Sequence, residues 1–137
     1  RQALATGLVQ ASGATSRLVL DGGRSTVQSF VRADREAKGW IRVTSGSPCA
    51  FCAMLASRGP AYKSERSASF QAHDACSCSA APFYGGQQPL INLRFRELWR
   101  LEGAQHSGAE ALRAFRRAYD ADGLASVADL GREQLED

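Results

Sequence analysis

No stretch of this sequence is apolar for the roughly 18–20 residues that a membrane-spanning helix needs. None reads as a signal peptide either, since no long apolar segment follows Arg1. There is no internal repeat and no low-complexity tract, so solenoid and fibrous architectures are excluded. A Walker loop, a dinucleotide fingerprint and an HExxH motif are all missing, and nothing points to a small-molecule substrate. Net charge is only +3, too little by itself to imply nucleic-acid binding. What is present is ordinary: 44% apolar and 23% charged residues in 137, enough for one soluble domain with a modest core. The chain opens on Arg1 rather than methionine, and the expectation is a fragment of a longer chain.

Cysteine is scarce but concentrated. All four cysteines and one of the two histidines lie between Pro48 and Cys78. Cys49 and Cys52 form a CxxC, and after twenty residues His73, Cys76 and Cys78 form an HxxCxC. Two Cys/His clusters flanking a loop match the spacing of closed zinc sites. Thiolate and imidazole are soft enough for Zn2+, and a two-residue gap lets both thiolates turn toward one ion. Five candidates compete for four tetrahedral positions, so four of Cys49, Cys52, His73, Cys76 and Cys78 are expected to bind. Cys76 and Cys78 share a face if they lie in an extended strand. Two disulfides are the alternative; the clustering and lack of a signal segment favour reduced, metal-bound thiols.

The expected fold class is α+β: a small zinc-tied antiparallel sheet flanked by N-terminal and C-terminal helices. Residues 1–39 form the N-terminal helical region, 40–84 the zinc-binding α+β core, and 85–137 the C-terminal helical region, all in one domain. Leu4, Leu8, Ala11, Thr15, Leu18 and Val19 fall on one face of a first helix. Asp21-Gly22-Gly23 predicts a break, with Ser25 and Gln28 capping a second helix whose apolar face is Val27, Phe30 and Val31. Asp34, one turn beyond Phe30, reads as a solvated or Arg-paired carboxylate. Trp40–Thr44 alternates and reads as a strand, and Cys76–Tyr84 reads as its partner. Cys49–Ser57 predicts a short helix stopped by Arg58-Gly59-Pro60. Pro60–Tyr62 predicts an extended piece and Lys63–Ala72 a loop in which Phe70 is the one large apolar residue. Asn92 caps a helix to about Glu102, Ser107 and Glu110 cap another that ends near Asp122, and a weak helical turn follows at Ala125–Gly131. The acidic tail Asp120–Asp137 reads as a solvated face or a contact segment.

Other chemistries use the same residues. Cys49 or Cys52 serves as a nucleophile in a thiol protease if His73 is the base and Asp74 the orienter. That reading leaves three thiols without a role. A CxxC redox motif wants a thioredoxin-like βαβ context, which is missing. His106, between loop-forming residues, reads as a surface histidine. Arg94, Arg96, Arg100, Arg113, Arg116 and Arg117 put a basic side on the C-terminal helices. It reads as a solvated face, and packaged DNA is a partner that no motif supports.

The run PCAFCAMLASRGP, preceded by Gly39-Trp40 and Arg42-Val43 and followed by HDACSC, resembles actinobacteriophage head proteins related to the minor head protein F of phage Mu (MuF-like). Ala33-Asp34-Arg35 and Phe115-Arg116-Arg117 are similar to that branch as well, and the resemblance covers roughly Asp21–Tyr119. It implies a virion or prohead protein that acts in head morphogenesis and capsid assembly near the portal. Its partners would be the portal and/or major capsid protein, inside the capsid or in the host cytoplasm during assembly. Members of the branch are often labelled capsid maturation proteases. Three functions therefore stand as expectations: a non-enzymatic minor capsid protein with structural zinc, a capsid maturation protease, and a zinc-binding interaction module.

Overall fold

A computed structural model describes residues 1–44, 47–60 and 69–122. The architecture is α+β, as the sequence predicts. The elements run α1 Gln2–Ala33, β1 Gly39–Val43, α2 Ala50–Ser57, β2 Ser79–Phe83, α3 Leu90–Leu98 and α4 Gly108–Asp122. The turn at Ser45-Gly46, most of the expected 60–72 loop and the segment after Asp122 lie outside the described residues.

The expected break at Asp21-Gly22-Gly23 does not occur: α1 is one helix of 32 residues, and Ser25 is interior to it rather than a cap. Glycine weakens a helix interior by about 1 kcal/mol relative to alanine, which tertiary anchoring can outweigh. Here the anchor is Arg24, 3% exposed, whose Nη1 donates to Asp21 Oδ1 one turn earlier at 2.7 Å. Its remaining donors bind across the fold, as described below. The apolar face from Leu4 to Val19 is exposed, and so is Phe30. The buried stripe passes through Arg24 and Val31, with Val27 partly covered. At the helix end, Asp34 is a C-cap whose carboxylate accepts the Glu36 N–H and the Tyr84 O–H, both at 2.9 Å.

β1 and β2 form a two-stranded antiparallel sheet with Trp40 opposite Pro82 and Arg42 opposite Ala80. β2 begins at Ser79, so Cys76 and Cys78 precede the strand rather than lie in it. Trp40, Ile41 and Arg42 are all buried, which means both faces of β1 are covered. Trp40 packs with Val31 and Ala37 under α1 and stacks on Phe70 at 5.4 Å.

The larger core lies between the other helices. α2 is apolar nearly all round and supplies Ala53, Met54 and Leu55, which meet Phe95 and Leu98 of α3 and Phe115 and Tyr119 of α4. α3 starts at Leu90, so Asn92 is interior rather than a cap. It is fully buried, and its Nδ2 donates to the Arg42 carbonyl at 3.0 Å, pinning the helix core to the sheet. After Leu98 the helix widens into a π-turn, Trp99–Gly103, closed by the Ala104 N–H on the Trp99 carbonyl. Gly103 permits this, since a Cβ there would sit 2.6 Å from the Trp99 ring. At the start of α4, Glu110 does not act as a capping-box residue toward Ser107; Arg113 and Arg117 take its carboxylate.

Candidate metal centre

The site forms where α2 begins and where the chain turns into β2. Cys49 has extended backbone and caps α2, its Sγ accepting the Cys52 N–H at 3.4 Å. Cys52 follows one turn later, so both sulfurs sit on one side of the helix start. Tyr119 holds the entry by donating its hydroxyl to the Pro48 carbonyl at 2.5 Å. The second half is a tight turn in which the Cys76 N–H reaches the His73 carbonyl and Ala75 takes φ +61°, a strained value for a residue with a Cβ. Strain of this kind survives where surrounding contacts over-determine it. The Ala75 N–H bonds the Gly13 carbonyl of α1 at 3.2 Å, and Asp74 pairs with Arg17 at 3.0 Å.

Two triads of ligand atoms result, Cys49–Cys52–His73 and Cys52–Cys76–Cys78, each with all members within 4.8 Å. Cys52 belongs to both. Its Sγ lies 3.6 Å from Cys76 Sγ and 3.9 Å from His73 Nε2, while Cys49 Sγ is 3.1 Å from His73 Nε2. Tetrahedral zinc with Zn–S near 2.3 Å sets sulfur–sulfur edges of about 3.8 Å, so the spacing suits one ion. His73 Nδ1 donates to the Asp74 carbonyl at 2.6 Å. That bond leaves the Nε2 lone pair facing the sulfurs, the arrangement metal-bound histidines use.

Two buried arginines frame the sulfurs, and neither was read as a site residue from the sequence. Arg24 Nε and Nη2 donate to the Cys78 carbonyl at 3.0 and 2.6 Å, and Nη2 also reaches the Cys76 carbonyl at 2.7 Å. Arg42, 2% exposed, donates to the Gln71 carbonyl at 2.6 Å and places Nη1 3.7 Å from Cys52 Sγ. The Phe70 ring covers both guanidiniums, at 3.7 Å from Arg42 and 4.6 Å from Arg24. Among the described residues no carboxylate forms an ion pair with Arg42. A buried cation needs a counter-charge, and the adjacent thiols are the groups able to supply one. The signal in the sequence was register: Arg42 shares a strand face with Trp40, and Arg24 lies in helical phase with Val27 and Val31.

The protons follow the same geometry. The Cys52 hydrogen bond, joined by the Arg42 charge, pulls the Cys78 thiol down to about 6 despite burial. Cys52 itself is pushed up, first by its bond to Cys78 and then by burial and the neighbouring sulfurs. Burial raises Cys49, but the Cys52 N–H and His73 outweigh it, and the thiol ends below its ordinary value. His73 is raised, chiefly by the Asp74 carbonyl. The cluster thus lowers two of its four thiols, Cys49 and Cys78, and raises Cys52 between them.

Of the alternative catalytic trio, the fold brings Cys49 and His73 together and sends the Asp74 carboxylate to Arg17. His106 is exposed, away from the cluster, beside a cavity it shares with Leu98, Glu102 and Arg117. On the basic side, Arg100 pairs with Glu97, Arg113 and Arg117 with Glu110, and Arg116 with Asp120.

Fold and site together define a small α+β domain organised around a metal-type Cys/His cluster. The chain belongs to the VG15 protein family, a phage virion-gene family, whose model matches residues 3–91. The match takes in α1, the sheet and the whole cluster. No curated protein and no solved structure matches the chain. No helix of the described residues is long and apolar enough to cross a membrane.

Proposed function

We propose that this phage protein is a non-enzymatic head-assembly component, a MuF-like minor capsid protein, whose Cys/His cluster is a structural zinc site. The observation that supports this most is the pair of ligand triads that share Cys52, with buried Arg42 beside it. Zinc held by three thiolates and the His73 imidazole carries one net negative charge, which Arg42 neutralises; this favours His73 as one of the four ligands. When bound, the ion cross-links the start of α2 to the turn that leads into β2. These two segments are twenty residues apart in sequence, and the domain has only a modest core to hold them otherwise. The helices would present the surfaces that meet portal or major capsid protein, inside the capsid or in the host cytoplasm during assembly.

The test is metal content with thiol accessibility on one purified sample. One zinc per chain, thiols blocked until a chelator is added, and unfolding on chelation are expected. Cys52→Ser should fail to fold. A metal-free, stably folded chain would overturn the zinc reading. The assembly role is checked in the phage: the protein should copurify with proheads, and its loss should stop head formation.

A second reading, a capsid maturation protease, rests on the exposed Cys49 thiol 3.1 Å from His73 Nε2. A small cavity of about 100 Å³ lies beside it, lined by Ala50, Phe51, Leu112 and Arg116. It predicts one fast-reacting thiol, a folded but inactive Cys49→Ser variant, and cleavage of capsid protein in vitro.

A further inference from the structure

α1 carries two apolar stripes, and its own domain uses one. Gly13, Arg17, Leu20, Arg24, Val27 and Val31 face the cysteine turn and the sheet and are partly or fully buried. The other stripe is Leu4, Leu8, Ala11, Thr15 and Leu18, continued at the same spacing by Gly22. At about 100° per residue it lies on the opposite side of the helix. All six are exposed, Leu4 at 80%, Leu8 at 71% and Leu18 at 67%.

We propose that this second stripe is the seam of an antiparallel two-stranded coiled coil between the α1 helices of two copies of the chain. Steps of four, three, four, three and four residues are the a/d repeat that seats one helix against another. The occupant follows from charge and size. From Gln2 to Ser16 there is no charged side chain, so a second copy meets no like-charge repulsion and an oppositely charged partner finds nothing to recognise. In the antiparallel register Leu4 lies over Gly22 of the partner subunit, Leu8 over Leu18 of the partner subunit, and Ala11 over Thr15 of the partner subunit. Each large side chain meets a glycine or another leucine, and the small residues meet in the middle.

A parallel pair would stack Ala11 on its own copy and Gly22 on its own copy, leaving two thin layers. The packing of its own chain does not require glycine at position 22, since a Cβ there, as at Gly7 and Gly23, would touch nothing within 4 Å. Glycine weakens a helix interior, and at position 22 its small size suits a close-packed seam. Thr15 is ready for burial, since its hydroxyl already donates to the Ala11 carbonyl at 2.8 Å. Residues 2–12 are exposed throughout, so the first three turns of α1 are open to a partner on every side.

The test is sedimentation of the whole chain across micromolar concentrations, where a dimer is expected. Leu8→Lys and Leu18→Glu should each raise the dimer dissociation constant at least about a hundredfold by burying an unpaired charge. Both should leave thermal unfolding unchanged at dilutions where wild type is itself monomeric, because within one chain these side chains lie in solvent; at higher concentration only wild type gains the stability that dimerisation adds. Mixing the two variants should restore a dimer, since the antiparallel register sets the introduced lysine against the introduced glutamate. A wild-type monomer over this range overturns the proposal, as does a stripe that binds only a different protein. A dimer that ignores both substitutions overturns it too, and failure of the mixture to recover overturns the antiparallel register.

Discussion

Replacing Arg42 by methionine separates a metal centre from a chance gathering of thiols. The guanidinium is buried, 3.7 Å from Cys52 Sγ, with Phe70 on its face and the Gln71 carbonyl as its other acceptor. At an effective dielectric of 20, one full negative charge at that distance is worth about 4.5 kcal/mol. Losing a charged hydrogen bond to Gln71 adds about 1.5–3 kcal/mol. Against both stands relief from desolvating the cation, several kcal/mol, which is why apolar replacements of buried charges are often neutral or stabilising. The net sign therefore depends on whether the sulfurs are ionised. With zinc bound they are, and Arg42→Met should weaken zinc binding about ten- to a hundredfold, or about 1.4–2.7 kcal/mol. The assay is competition with a chromophoric chelator for the zinc constant, alongside thermal unfolding of the zinc-bound protein. A zinc constant within about threefold of wild type would refute the electrostatic account, since the tenfold lower bound of a supporting contact would be missing.

Three further outcomes test the scaffold. Phe95 is fully buried between α2 and α4, and Phe95→Ala should cost about 3–5 kcal/mol in chemical denaturation. Gly103→Ala should destabilise by about 1–3 kcal/mol despite alanine's better helix propensity, because its Cβ would meet the Trp99 ring; a neutral or stabilising result would mean the π-turn relaxes freely. Tyr119 is held protonated by burial, its pKa pushed up to about 12. Its contribution to stability is complete below the unfolded tyrosine value near 10 and is lost as pH rises toward 12. Absorbance at 295 nm should show this tyrosine ionising last, together with alkaline unfolding.

Much of the candidate site was legible because metal-ligand chemistry is written in residue type and spacing. The CxxC and HxxCxC could be picked out, and so could the two strands and the helices holding Phe95 and Phe115, whose periods are local properties. The misreadings have a common cause. The glycine pair in α1 looked like a break, yet Arg24 and its long-range bonds to Cys76 and Cys78 hold the helix straight through it. Asn92 looked like a cap, yet its amide is spent on the Arg42 carbonyl inside the core. The apolar face from Leu4 to Val19 could be picked out, but not that the domain packs on the other side of the same helix.

By itself the sequence determined which side chains could serve as ligands, the α+β class and the order of elements, since each depends on side-chain chemistry or on neighbours a few residues away. Only the tertiary structure decided that Cys52 stands at the centre of the cluster. It alone showed that Asp74 turns to Arg17 rather than to His73, that Arg42 brings its charge beside Cys52, and that Arg24 holds the Cys76 and Cys78 carbonyls. Those outcomes depend on groups 10 to 57 residues apart in the chain, where burial and electrostatics override local preference, and no local pattern encodes such distances.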